Sequence, residues 1–282
     1  MIAILGGLGA AVMWATATLA TSRSSRMIPP VSVLAWVMIV GSAASLPFAA
    51  ASGVPPQLDA GLVGWLLVIG ASNVGGLLLV YSALRIGKVG IVAAITSAEG
   101  AVAATIAVIA GERLAAGAAL MLVLIALGVI LASMSRDRDV AKRRHNGIAV
   151  LLASGAALLF GVGLFAAGHV STDLPLSWIL LPPRLVGVVA VAAPLLLLGK
   201  LRFSREAAPY VIAAGIAEII GLGSYTVGAR HGIAISAVLG SQFAALSAIF
   251  AFFFFRERLA RMQLVGVTAI VVGVSVLTAL RA

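Results

Sequence analysis

The sequence predicts an all-α integral membrane protein with about ten transmembrane helices, set as two inverted five-helix repeats around a central cavity. Three observations carry this. The 282-residue chain is 62% hydrophobic and 10% charged, against roughly 45–50% and about 25% in soluble domains. Its mean hydropathy is +1.18, and polar surface is too scarce to cover a soluble globule. Apolar stretches of about 20 residues, the length that crosses a bilayer, recur along the whole chain. Finally, the second half repeats the first at a constant offset of 145 residues.

In chain order the expected spans are 3–21, 31–51, 61–84, 89–110 and 115–135, then 148–168, 177–199, 208–229, 233–254 and 259–280. The first lacks the basic start of a cleaved signal and is read as a retained helix. Their Ala, Leu and Gly texture suits helices, whereas barrel strands would alternate with period two. The ends fall at breakers such as SRSSRMIPP, ASGVPPQLD and HVSTDLP. Residues 1–135 form the first repeat, 136–147 a basic linker and 148–282 the second repeat.

At the 145 offset Pro30 and Ser32 fall on Pro175 and Ser177, and Gly70, Gly76 and Leu77 on Gly215, Gly221 and Leu222. Arg85 and Gly87 fall on Arg230 and Gly232, Glu112-Arg113-Leu114 on Glu257-Arg258-Leu259, and Gly128 on Gly273. In a chain so rich in small residues the Gly pairs mean little, but the E-R-L and R-x-G matches do not arise that cheaply. Five spans per repeat is an odd number, so the halves must lie inverted, the mark of alternating-access transporters with a midplane site.

Orientation follows from charge. Of 19 Lys and Arg, fifteen lie in loops after odd-numbered spans: Arg23, Arg26, Arg85, Lys88, Arg136, Arg138, Lys142, Arg143, Arg144, Lys200, Arg202, Arg205, Arg256, Arg258 and Arg261. Arg113, Arg230 and Arg281 lie on the other side. By the positive-inside rule the rich side is cytoplasmic and both termini extracytoplasmic. The net charge of +10 therefore reports orientation in the membrane, and no nucleic-acid partner is expected. The linker RDRDVAKRRHN reads as a solvated or headgroup-facing loop. With no Cys there are no disulfides, thiolate metal sites or cysteine nucleophiles. The three His (His145, His169, His231) have no metal-ligand spacing, so neither metal nor cofactor is expected. No HExxH, GxSxG, GxGD or P-loop is present, which argues against an enzyme and an ATP-driven pump.

Ionisable groups at mid-bilayer cost about 2.5–3.5 kcal/mol on insertion scales and are functional candidates by default. Glu99 in the fourth span, Glu218 in the eighth and Arg184 in the seventh, after Pro182-Pro183, are the three. Arg184 has two readings, a buried salt bridge with Glu218 or a side chain that snorkels to the interface. Uncharged companions are Trp14, Thr16, Asn73, Ser97, Ser241 and Gln242. The offset maps Ser97 onto Gln242, Thr96 onto Ser241 and Asn73 onto Glu218, so polar positions recur at one depth in the third and fourth helices of each repeat. These can face one cavity, although Ser97, Asn73 and Ser241 also suit modest interhelical hydrogen bonds. Trp14, Phe160, Tyr81 and Tyr225 are its candidate aromatic walls. Phe252–Phe255, Trp36, Trp65 and Trp178 read as interfacial aromatics. Glu112 and Glu257 read as ion pairs or loop caps, and spacings such as Gly70…Gly75-Gly76 and Gly155…Gly161-Gly163 as close helix contacts.

The stretches ALRIGKVGIVAAITSAEGAVAATIAVIAGERL (83–114) and GARHGIAISAVLGSQFAALSAIFAFFFFRERL (228–259), with AAVMWATATLA (10–20), resemble the drug/metabolite transporter superfamily, nearest its EamA-type exporters. More loosely the chain is similar to YddG-type aromatic amino-acid exporters. The resemblance covers essentially the whole chain and implies a multi-pass inner-membrane exporter of small molecules; ten spans can surround a cavity in one chain, so a functional monomer among membrane lipids is expected. Two features depart from the family. Pro is frequent midway along its fourth helices, where this chain has Gly100 and Ala245, and many members are drawn with cytoplasmic termini. Amino acids, aromatic ones included, are the expected substrates, the ammonium on Glu99 or Glu218 and the carboxylate on Gln242, Ser97 or Arg184. A lone cavity carboxylate would couple such transport to protons, because burial penalises its charge. A drug or quaternary-cation exporter with an aromatic cage and one carboxylate is the alternative.

Overall fold

A computed structural model describes residues 1–112 and 140–247 apart from 245, with scattered positions between 117 and 127 and between 264 and 276. Its elements are α1 (Ile2–Met27), α2 (Pro30–Ser52), α3 (Ala60–Ile86), α4 (Val89–Thr96), α5 (Glu99–Ile109), α6 (Val140–His169), α7 (Leu176–Gly187), a π-helical turn (Val188–Ala192), α8 (Ala193–Leu197), α9 (Ala208–Ala229) and α10 (Ile233–Gly240). Among the described residues there are no strands, and seven helices are long and apolar enough to cross a membrane. These match the expected first to fourth and sixth to eighth spans, and α10 opens the ninth. Most of the fifth and tenth spans, residues 136–139 of the basic linker, Arg113-Leu114, Glu257-Arg258-Leu259 and Phe252–Phe255 lie outside the described residues; the rest of the linker, 140–147, is not the expected loop but the first two turns of α6.

Boundaries follow local chemistry. Asp59 caps α3, its carboxylate accepting from the Leu62 N–H at 2.7 Å. Pro30 and Pro209 occupy first-turn positions, where a missing N–H costs nothing. Gly53 and Gly199 end their helices at φ +67° and +64°, a left-handed conformation that favours glycine. Inside α7, Pro182 and Pro183 remove two amide donors, and the π turn follows at once. The helix is thus irregular next to Arg184, which a π bulge often accompanies at working sites.

Packing relies on small residues, as expected where lipid removes the hydrophobic drive between helices. On α1, Gly6 meets the backbone of Gly228, and on α9, Gly221 meets the Trp14 ring. Contacts recur in exchanged form between the halves. Gly70 of α3 faces the Pro182 carbonyl, and Gly215 of α9 faces the Val37 carbonyl; both members of the second contact are the first shifted by the 145 offset. Pairings of elements behave alike: α1 packs on α9 as α3 does on α6, and α2 on α9 as α3 on α7. Span 2 and span 7 run antiparallel. Ser32, at the start of α2, accepts from the Arg202 N–H beyond α8, while Ser52, at the end of α2, bonds Ser177 at the start of α7 (3.2 and 2.8 Å). Trp36 and Trp178 tie the same two ends, donating to Arg202 O and Gly53 O. Both sit half-buried at span ends as expected, as does Trp65, which packs against Phe165 and His169.

The fourth and ninth spans are both interrupted by one tight turn, and neither needs proline. Ala98 N–H bonds Ile95 O and Gly100 N–H bonds Ser97 O; in the second half Gln242 N–H bonds Leu239 O and Ala244 N–H bonds Ser241 O. Each hydroxyl closes its turn: Ser97 donates to Ala94 O and Ser241 to Val238 O, both at 2.7 Å. These matched bonds are 144 residues apart, which corrects the register read from the sequence. Ser97 corresponds to Ser241, not to Gln242, because the first half places Lys88 between Gly87 and α4 whereas Gly232 leads directly into α10.

Candidate functional site

A cavity of about 70 Å³ lies between α1, α3, α5, α6 and α9, room for a handful of waters. Helical spacing places its wall. From α3, Ile69, Asn73, Leu77, Val80, Tyr81 and Leu84 form one stripe three or four residues apart. Trp14, Thr18 and Thr21 come from α1, Phe160, Gly163 and Leu164 from α6, and Glu218 and Leu222 from α9. Thr96, Glu99 and Phe243 come from the two interrupted spans. The turn at Ser97 brings Glu99 to the first position of α5, facing this space.

Trp14 is wedged into the cavity wall. Its ring fills the cleft left by Gly221 and Gly240, where an added Cβ would come within 2.6 and 2.8 Å of it. It also stands 6.1 Å from Tyr225 and 6.5 Å, edge-on, from Phe243. From there the wall continues along α1 to Thr21 and along α3 to Leu84, toward the helix ends that carry Arg23 and Arg85.

Behind the wall lies the buried charge. Arg184 is fully buried, which settles its two sequence readings in favour of a pairing role. Its Nη1 donates to Asn73 Oδ1 at 3.3 Å, and its Nη2 stands 3.9 Å from Glu218 Oε2. Its stem passes so close to α2 that a Cβ on Gly41 would lie 2.7 Å from Cδ. Nε and Nη2 have no hydrogen-bond acceptor, and neither does the buried Tyr81 hydroxyl find a partner. Asn73 and Glu218, equivalent at the 145 offset, thus hold one guanidinium between α3 and α9.

Of the sequence candidates, Trp14, Asn73, Tyr81, Glu99, Phe160 and Glu218 line the cavity, and Arg184 stands directly behind it. Four do not line it. Ser97 and Ser241 are buried and bent onto their own helices. Gln242, half-buried in the ninth-span turn, is off the wall. Tyr225 is also buried, its hydroxyl donating to Leu164 O at 2.7 Å. Thr16 faces outward and bonds Val12 O. Thr18 and Thr21 were not singled out from sequence, although their spacing of four and seven from Trp14 is the readable signal. Glu112 caps a helix and not a loop, and does so across the halves: it accepts from the Ala234 N–H in the first turn of α10 at 3.3 Å. Among the described residues no His or carboxylate cluster could hold a metal ion.

Comparison with known proteins gives two matches of different kinds. Residues 1–134 match the EamA-like transporter family. A solved structure titled only as the crystal structure of a protein superposes with a TM-score of 0.76 at 20% identity, covering 99% of this chain and 96% of that one. At that identity the likeness is one of fold, and it extends over both halves. No curated protein matches the sequence.

Proposed function

With residues 1–134 matching the EamA-like transporter family, we propose that this multi-pass membrane protein is a secondary transporter that exports small organic molecules, cations ahead of amino acids, across the inner membrane by alternating access. The observation that carries this is the cavity itself: a mainly apolar and aromatic space with two carboxylates in its wall, inside apolar spans where such groups are costly. Inverted repeats of five helices supply the symmetry. The exchanged contacts of Gly70 and Gly215 and the antiparallel pairing of spans 2 and 7 support that inversion. Alternating access would then rock one half against the other about Arg184, Asn73 and Glu218.

Substrate chemistry divides the two readings of the site. An amino acid needs a carboxylate partner, yet Ser97 and Gln242 are off the wall and Arg184 stands behind it, facing Glu218 and Asn73. This favours the drug or cation reading within the same superfamily, where aromatic rings and one carboxylate suffice. Uptake into proteoliposomes of purified protein, tested with a panel of amino acids and organic cations, checks the proposal. Movement of at least one class above empty liposomes is expected. Movement of none would overturn transport as the function.

A further inference from the structure

We infer that the cavity is built for a solute of one chemical class, an aromatic or arylalkyl amine bearing a single positive charge and no carboxylate; this rests on the transport reading above. The wall contains two carboxylates, and they are not equivalent. Glu218 faces the Arg184 guanidinium at 3.9 Å, so their charges offset each other. Among the described residues, no cation or hydrogen-bond donor pairs with Glu99, which is buried and lines the cavity. An ammonium group is the complement such a carboxylate lacks.

The rest of the wall agrees. Thr21 and Thr96 donate their hydroxyl protons to Ala17 O and Val92 O of their own helices. Their oxygens therefore keep lone pairs for a donor such as an ammonium. Trp14, Tyr81, Phe160 and Phe243 provide aromatic rings within the same space, whose faces attract a desolvated cation. A substrate carboxylate would meet the reverse conditions. The basic side chain nearest the wall, Arg184, stands behind it against Asn73 and Glu218 and does not line the cavity, and Glu99 would repel a second negative charge in a low-dielectric space. The unpartnered Tyr81 hydroxyl supplies a neutral donor, suited to a hydroxyl or carbonyl on the solute and too weak alone to hold an ion.

The discriminating pair of probes is 2-phenylethylamine and phenylalanine, which share ring and amine and differ by one carboxylate. Calorimetric titration of the full-length protein in lipid nanodiscs avoids the passive leak of neutral amines. The amine is expected to bind at least tenfold more tightly than the amino acid. Glu99→Gln should weaken amine binding at least tenfold, and Glu99→Asp should retain most of it, with thermal melting confirming that both variants are folded. Phenylalanine binding as tightly as the amine would overturn the inference while leaving transport standing. Undiminished amine affinity in Glu99→Gln would overturn the assignment to Glu99. Failure of both probes to bind would also overturn the inference, and the proteoliposome panel would then decide transport separately.

Discussion

Removing the Glu218 carboxylate should be the most damaging single change to the stability of this protein. Glu218 Oε2 stands 3.9 Å from Arg184 Nη2, with Arg184 wholly inaccessible. At that distance and an effective dielectric near 20, the attraction is about 4 kcal/mol. Glu218→Leu leaves the guanidinium with one neutral partner, Asn73 Oδ1 at 3.3 Å, and with Nε and Nη2 still unbonded. Breaking one side of a buried pair typically costs about 3–5 kcal/mol, whereas replacing both members by apolar groups is often nearly neutral. Glu218→Leu should therefore lose about 3–5 kcal/mol, and Glu218→Leu combined with Arg184→Met should recover to within about 1 kcal/mol of the parent. Reversible unfolding in mixed detergent micelles, run as a double-mutant cycle, measures both. A single-variant loss below about 1 kcal/mol, or a double variant as unstable as the two singles added together, would refute the reasoning.

Three further tests address the packing and topology. Gly70→Ala and Gly215→Ala each drive a Cβ to within 2.6 and 2.8 Å of a valine methyl, so both should lose about 1–3 kcal/mol by overpacking; a large loss in one and none in the other would contradict reciprocal packing. Glu112→Ala removes the acceptor for the Ala234 N–H and should cost about 0.5–2 kcal/mol, the range for lost caps, read as a lower melting temperature; an unchanged one would show that this cap is idle. The absence of Cys makes topology mapping direct: Val54→Cys in intact cells should react with a membrane-impermeant maleimide, and Glu206→Cys should not. The opposite pattern would reverse the orientation drawn from charge.

For the seven spans found among the described residues, the sequence alone determined where the apolar helices run, because lipid demands about 20 apolar residues per span and leaves charge only in loops or at sites of work. It also isolated Glu99, Glu218 and Arg184, and it paired Asn73 with Glu218, since both sit at one depth of equivalent helices. Tertiary structure decided which polar residues face the cavity and which satisfy their own backbone. Ser97 and Ser241 carry the same hydroxyl as a cavity residue would, but each spends it closing a turn. That choice depends on where the helix is interrupted, and a single inserted residue, Lys88, shifts it by one position. Whether Arg184 would snorkel or pair was likewise beyond the sequence. The answer required Gly41 of α2 to leave room for the arginine stem and α3 and α9 to present Asn73 and Glu218 to one guanidinium. Spans are set by solvation, which acts residue by residue, whereas the site is set by packing between helices far apart in sequence.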